Sequence, residues 1–231
     1  MALLGKAAML LSFDIVPGAI VEHDDWHTHE HFPERLSIPG FLRGTRWIAR
    51  QGQPGYFVMY EVERLDILAS AAYLERLNNP TPWTMQMMVH YRDMTRGLCK
   101  LVGSFGAGMG QAALFLRFKP GPGKESSLRK WLAGEALPVL PSQTGLASAH
   151  LFEGGLAAPT TNEQRIRGTD AAVDSALLVT GYSAEAVAAL GLAGLGGPQL
   201  VQRGATGVSG GVYQMAYSLT ERELLTLRPA D

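Results

Sequence analysis

The sequence predicts an α+β protein made of two β-α-β-β-α-β units fused head to tail, each with an antiparallel sheet. Three observations predict it. The first is an internal repeat: Gly5-Lys-Ala-Ala-Met-Leu-Leu-Ser-Phe-Asp-Ile-Val-Pro-Gly18 lies over Gly110-Gln-Ala-Ala-Leu-Phe-Leu-Arg-Phe-Lys-Pro-Gly-Pro-Gly123. The same register, about 105 residues, places Trp26 on Trp131, Glu30 on Glu135, Pro33 on Pro138, Ser37 on Ser142 and Gly40 on Gly145, so it aligns two of only four tryptophans. The second is that both halves read in the same order of elements. The third is physical. A sheet with helices on one face leaves its other face apolar and uncovered, and two such units in one chain can bury those faces against each other.

The elements follow in order. Ala8 to Ile15 is an apolar run ended by Val16-Pro17-Gly18, which reads as a strand. Asp24 and Asp25 supply cap-like first-turn acids for a helix to about Leu36, ended by Ile38-Pro39-Gly40. Phe41 to Ala49 is the second strand, Gln51 to Gly55 a turn, and Tyr56 to Val62, rich in aromatic and β-branched residues, the third strand. On it Tyr56, Val58, Tyr60 and Val62 share one face and Phe57, Met59 and Glu61 the other. Leu65 to Leu77 and Trp83 to Arg96 have helical spacing, and Leu98 to Phe105 closes the unit as a strand. Gly106 to Gly110 reads as a linker between residues 1–106 and 107–231, since it lacks the Gly-Lys-Ser/Thr ending of a phosphate loop.

The second half repeats this with strands at Ala112 to Phe118, Leu146 to Glu153, Ser175 to Tyr182 and Val208 to Leu219, and helices at Glu125 to Leu140 and Ala184 to Gln202. Gly154 to Asp174 is an insertion relative to the first copy and reads as an exposed loop, either a lid over a pocket or a tolerated excursion.

Composition narrows the function. The 231 residues are 46% hydrophobic, ample for a packed core. A net charge of −1 with interspersed signs gives no footprint for nucleic acid or a membrane surface. Cys99 is the only cysteine, so no internal disulfide is possible. The apolar run after Lys6 is too short for a signal peptide and lacks a cleavage pattern. Ala184 to Leu200 contains Glu185, several glycines and Pro198, which makes it a poor spanning helix. The expectation is a cytoplasmic protein, with further pairing into a homodimer left open.

The segment Trp26-His-Thr-His-Glu-His31-Phe-Pro33-Glu-Arg35-Leu-Ser-Ile-Pro39-Gly40-Phe41-Leu-Arg43-Gly-Thr-Arg46-Trp47 resembles the aromatic, Glu-His, Pro, Pro-Gly-Phe and Arg-aromatic pattern of EthD-like proteins in the dimeric α+β barrel superfamily of ferredoxin-like fold. The likeness covers the first helix and second strand, and elsewhere only the order of elements. It implies an intramolecular barrel. It also implies kinship with a superfamily that includes cofactor-independent antibiotic-biosynthesis monooxygenases, muconolactone isomerases, polyketide cyclases and haem enzymes, so it speaks to fold more than to chemistry.

Chemistry would sit in the histidine cluster. His23, His27 and His31 fall on one helical stripe, with Glu30 and Glu34 adjacent. Three such imidazoles can ligate a metal if ligands converge from another element, or His23 and His27 can be solvated. His31 occupies the motif position, and its counterpart is Ala136. It reads either as a general base for an acidic carbon or phenol or as a buried histidine bonded to backbone. Arg43 and Arg46 face opposite ways, and the resemblance favours Arg46 as the one turned into the barrel. The expected site is therefore His31, Arg46 and Tyr60 as catalytic groups, with Trp26, Trp83, Tyr91 and Arg92 contacting substrate and no metal or cofactor.

Three functions remain open: a cofactor-free isomerase, cyclase, lyase or monooxygenase acting on a small hydrophobic or aromatic molecule; a non-catalytic binding protein using the same pocket; and a metal or haem enzyme using the histidine stripe.

Overall fold

The structure is a computed structural model describing residues 2–50 and 54–227. The first half runs β1 (Ala7–Ile15), α1 (Ile20–Trp26), a π-helical segment (His27–His31), α2 (Phe32–Leu36), β2 (Phe41–Ala49), β3 (Tyr56–Val62), a 3-10 turn, α3 (Ala71–Asn78), α4 (Pro82–Met88) and β4 (Tyr91–Gly106). The second half runs β5 (Ala112–Pro120), α5 (Glu125–Trp131), a π-helical segment (Leu132–Ala136), β6 (Leu146–Leu156), α6 (Asn162–Arg167), β7 (Ala171–Ala172), β8 (Ser175–Gly181), α7 (Ala184–Ala189), a π-helical segment (Leu190–Gly194), α8 (Gly197–Gln202), β9 (Ala205–Thr220) and α9 (Glu221–Leu227).

Eight strands close an antiparallel barrel in the order β1-β3-β2-β9-β5-β8-β6-β4, with β4 returning to β1; the short β7 adds to β4 in parallel. The order is β4-β1-β3-β2 in the first half and β9-β5-β8-β6 in the second. The registers correspond as well. Ala7 faces Val62 and Phe13 faces Tyr56 in one ladder, while Ala112 faces Gly181 and Phe118 faces Ser175 in the other. Gly40 and Gly145 close the first long helix of each half at φ +91° and +90°, a left-handed conformation that favours glycine.

Strands β3 and β8 are buried on both faces, which explains why they read as continuous apolar runs rather than alternating ones. One face turns into the barrel, where Leu10, Trp47, Phe57, Phe115, Phe152 and Tyr213 pack together. The other faces the helices, around Trp26, Phe32 and Tyr60 in the first half and Leu132, Leu151 and Val179 in the second. Each large apolar side chain so buried stabilises the fold by about 1.5–3 kcal/mol relative to exposure. Ser70, Thr81 and Ser183 cap α3, α4 and α7 by accepting from Tyr73 N, Thr84 N and Ala186 N.

Four expectations change. The first helix starts at Ile20, not near Asp24, because Pro17–Ala19 already forms a helical turn; Asp24 binds side chains instead of capping. Trp83 to Arg96 is not one helix: α4 stops at Met88, and from Tyr91 the chain ladders with β1, with one irregularity at Asp93–Met94, so its backbone groups pair across strands instead of along a helix. Gly154 to Asp174 is no exposed loop. It holds α6 and β7, buries Thr161 and Glu163, and is tied to α3 by Asn162 donating to the Asn78 carbonyl at 2.6 Å. Arg46 does not enter the barrel; it lies under the first helix, while Arg43 pairs with Glu61. The expected turn at Gln51 to Gly55 falls partly outside the described residues.

Among the described residues, Ala184–Gln202 is the one helical stretch long and apolar enough to cross a membrane by length and composition. Here it packs on the second-half sheet through Val187, Leu190, Leu195 and Leu200.

Candidate functional site

The site grows from the π-helical turn of the first helix. Phe32 N donates to the His27 carbonyl, one residue further back than an α-helix allows, and such bulges concentrate at functional sites. Around it His23, His27 and His31 form a stacked column facing the sheet, with successive ring centroids 5.3 Å apart. All three are buried, so the solvated reading of His23 and His27 fails. Trp26 closes the column at 4.4 Å from His31.

Each ring has its own partners. His23 Nδ1 lies 3.1 Å from Asp24 Oδ1 and Nε2 lies 3.1 Å from the Tyr91 hydroxyl. A carboxylate only accepts, so Nδ1 donates to Asp24 and Nε2 accepts from Tyr91. Arg46 Nη1 donates to His27 Nδ1 at 3.4 Å, which leaves His27 Nε2–H to donate to Tyr60 Oη at 3.3 Å. Arg46 also donates to the Asp24 carbonyl and the Thr28 hydroxyl, and its guanidinium lies 3.7 Å from the Asp24 carboxylate. One chain thus runs Tyr91, His23, Asp24, Arg46, His27, Tyr60. His31 differs: its Nδ1 is buried without a hydrogen-bond partner, with Glu34 at 3.9 Å.

Burial holds all three imidazoles neutral. It lowers the His23 pKa against the opposing pull of Asp24, and it lowers His27 and His31 well below the ordinary range, helped by Arg46 and Arg35 at the one and Arg35 and Arg167 at the other. Burial likewise pushes the Tyr60 and Tyr91 hydroxyls up, so both stay protonated.

His27, His31 and Tyr91 line a cavity of about 30 Å³, room for about one water molecule. Its remaining polar wall is Arg35, Tyr73, Arg96, Glu163 and Arg167. Glu163 and Arg167 arrive on α6, carried over from the second half. Arg35 donates to Glu163 and, at 2.9 Å, to Glu34; Arg167 forks onto Asp170 at 2.9 and 2.6 Å. Arg96 Nη2 donates to the Tyr73 hydroxyl at 3.2 Å, while its buried Nη1 has no hydrogen-bond partner and stands 3.9 Å from Asp170.

Of the predicted residues, His31 and Tyr91 border the cavity. Arg46 and Tyr60 sit behind His27, and Trp26 packs on His31. Trp83 is partly buried at the edge of the helix layer, and Arg92 is exposed, donating to the carbonyls of Val89 and Tyr91. Arg35 escaped the sequence reading although it extends the 23-27-31 stripe by one turn. Glu163, Arg167 and Asp170 carried no local signal at all. His23 and His27 turn their nitrogens to separate partners and His31 Nδ1 has none; among the described residues no group of three or more His, Cys, Asp or Glu is placed to hold a metal ion.

The second half sets apolar residues at the matching positions. Leu128, Leu132, Leu140, Leu151, Val179 and Ala205 stand where His23, His27, Arg35, Arg46, Tyr60 and Tyr91 stand, and all six are buried. Its own π-turn, Leu137 N to the Leu132 carbonyl at 2.9 Å, corresponds to that of the first half.

No protein-family model and no curated protein matches the sequence. Solved structures do match it. A protein described as anthrone oxidase-like superposes with a TM-score of 0.68 at 12% identity, covering 100% of this chain and 99% of its own. A provisionally named monooxygenase from Fusobacterium nucleatum subsp. nucleatum gives 0.59 at 7% identity, over 94% of this chain and 96% of its own. Another from Lactobacillus acidophilus gives 0.54 at 7%, over 93% and 96%. The likeness is one of fold alone: a closed antiparallel eight-strand barrel with helices outside.

Proposed function

We propose that this protein is a cofactor-free, monooxygenase-like enzyme acting on a small hydrophobic or aromatic molecule, with its site in the first half and His31 as general base. The observation that carries the reading is His31 Nδ1, a neutral, buried, unpartnered nitrogen beside the cavity. It takes a proton from an acidic carbon or phenol, and Arg96, whose Nη1 makes no hydrogen bond and stands 3.9 Å from Asp170, stabilises the resulting oxyanion. The Arg46–His27–Tyr60 group acts from behind by fixing the histidine column, and Tyr91 contacts substrate. With dioxygen as co-substrate, an activated CH₂ becomes a carbonyl and one water leaves, which balances. The fold shared with an anthrone oxidase-like protein, and the EthD-like pattern of the first helix and second strand, support this class. A molecule of that size needs about 300 Å³ or more, so the α6 connection must swing away to admit it.

The experiment is dioxygen consumption with small phenols and aromatic ketones bearing an acidic CH₂. His31→Ala should abolish turnover while circular dichroism and Tm stay near wild type. Equal turnover in the variant would sink the assignment. One observation favours a second reading, a non-catalytic binding protein: burial beside Arg35 and Arg167 makes His31 a weak base. Ligands that stabilise wild type and His31→Ala alike in a thermal-shift assay, without turnover, would support that reading. We further infer that the halves are diverged copies of one unit, residues 1–106 and 107–231, and that the protein is cytoplasmic, binds no nucleic acid and is able to pair through its outer helices.

A further inference from the structure

A cleft of about 670 Å³ lies between the sheet and helices of the second half, within the range of about 300–1,000 Å³ usual for small-molecule sites. It occupies the place of the first-half cavity. Leu114 and Leu116 line it where Met9 and Leu11 line the other, and the ladder pair Leu116–Gly210 stands where Leu11–Arg96 stands.

Two changes open it. Side chains have shrunk: Gly210 replaces Arg96, and α7 through α8 present Ala184, Ala188, Gly191 and Gly197. The cover also differs. The connection from β6 to β8 carries α6 over the first cavity; among the described residues of its counterpart from β2 to β3 there is no such helix, and Arg50 lines this cleft. Arg50 N donates to the Val212 carbonyl at 3.3 Å.

The chemistry of the walls selects the occupant. Leu114, Leu116, Val208 and Val212 are apolar, and Leu192 projects at the mouth. The two charges, Arg50 and Glu185, are of opposite sign, so the cleft favours no net charge on its guest. Gly210 and Gly211 offer a strip of backbone without side chains, paired with β5 opposite Leu116 and Phe115. A flat ring can lie on such a strip at van der Waals distance.

We propose that the second-half cleft is a binding site for a neutral, planar, largely aromatic small molecule, seated on the Gly210–Gly211 strip beneath α7. It is independent of the His31 site and takes no part in the proton transfer proposed there.

The test titrates the full-length protein with N-phenyl-1-naphthylamine, a neutral aromatic dye that brightens in apolar sites. Wild type should bind it saturably. Gly197→Leu should weaken binding about ten-fold or more by filling the cleft; a Cβ at position 197 meets only Val208 Cγ1, at 3.8 Å, so the fold survives. Ala188→Trp should do the same, and His31→Ala should leave the titration unchanged. The proposal fails if wild type shows no saturable binding, if both filling variants bind as wild type does, or if His31→Ala abolishes binding. It fails equally if light scattering shows a dimer that excludes the dye and that Leu192→Glu dissociates, since a second copy of the chain would then be the occupant.

Discussion

The two halves share a strand order, a ladder register, a π-turn in the first long helix and a glycine near φ +90° after it, yet one encloses ions and imidazoles where the other encloses leucines. The backbone therefore does not need the polar set. A buried ionic group is often no more stabilising than apolar side chains of like volume, and the second half shows the apolar solution on the same scaffold. The polar network is thus an addition to the shared scaffold rather than a requirement of it.

The comparison can be broken most forcefully at Arg35. Arg35→Leu installs the residue found at 140 and strips Glu163 of its buried cation; we expect a loss of about 3–5 kcal/mol in urea denaturation. Arg35→Leu combined with Glu163→Leu should recover most of it. If the single change costs no more than the pair, the ion pair does not hold the connection down.

Acid should separate the halves next. Burial depresses the folded-state pKa of His23, His27 and His31, so the unfolded chain binds protons first as pH falls below about 6.5. Their contribution is complete above that pH and is lost on acidification towards the folded-state values, at up to about 1.4 kcal/mol per pH unit for each. His150, in the second half, is held near 4 by burial and by Arg43 and adds to the same slope. In a Tm series from pH 7.5 to about 5, spanning the ordinary histidine pKa, His27→Leu should flatten the fall by one histidine's share. An unchanged slope would mean His27 protonates in place.

The shared glycines sharpen the likeness. Gly40→Ala and Gly145→Ala should each cost about 1–2 kcal/mol from backbone conformation alone, with crowding added, since the new methyl would meet Ile67 Cδ1 at 2.7 Å and Ala186 Cβ at 2.5 Å. Similar losses in both are expected; a large inequality would show the turns are not equivalent. The smallest effect is at Glu30, which accepts from Trp26 Nε1 at 3.1 Å and from Thr81 and Thr84. Glu30→Gln should cost about 1 kcal/mol. Glu135→Gln should cost nothing measurable, because Glu135 is exposed and Trp131 lies under the Arg203 guanidinium at 4.7 Å instead.

That last pair shows where sequence reasoning stopped. Trp26/Trp131 and Glu30/Glu135 match letter for letter, yet only the first pair forms the bond, because the partners Thr81 and Thr84 come from α4. Strands β2 and β3 were legible to the residue; in β3 burial on both faces leaves an apolar and aromatic run broken only by Glu61. Tyr91 to Arg96 was not, because a strand edged with Arg92 and Asp93 mimics a helix in spacing. The histidine stripe was legible from its period of four, but its burial was not, because what buries it is the sheet beneath and α6 above. Glu163 and Arg167 reach the site from 128 or more positions beyond Arg35, a distance no local pattern spans.

The connection carrying α6 also sets an order of events during synthesis. The first half emerges earlier, but β2 waits for β9 and β4 for β6 before the barrel closes, and the cavity gains its cover only after β6. Pairings of such long sequence separation form slowly. A chain that stops before α6 therefore lacks Glu163, Arg167 and Asp170 around the histidine column, and the closed cavity reports that the second half has been added to the first.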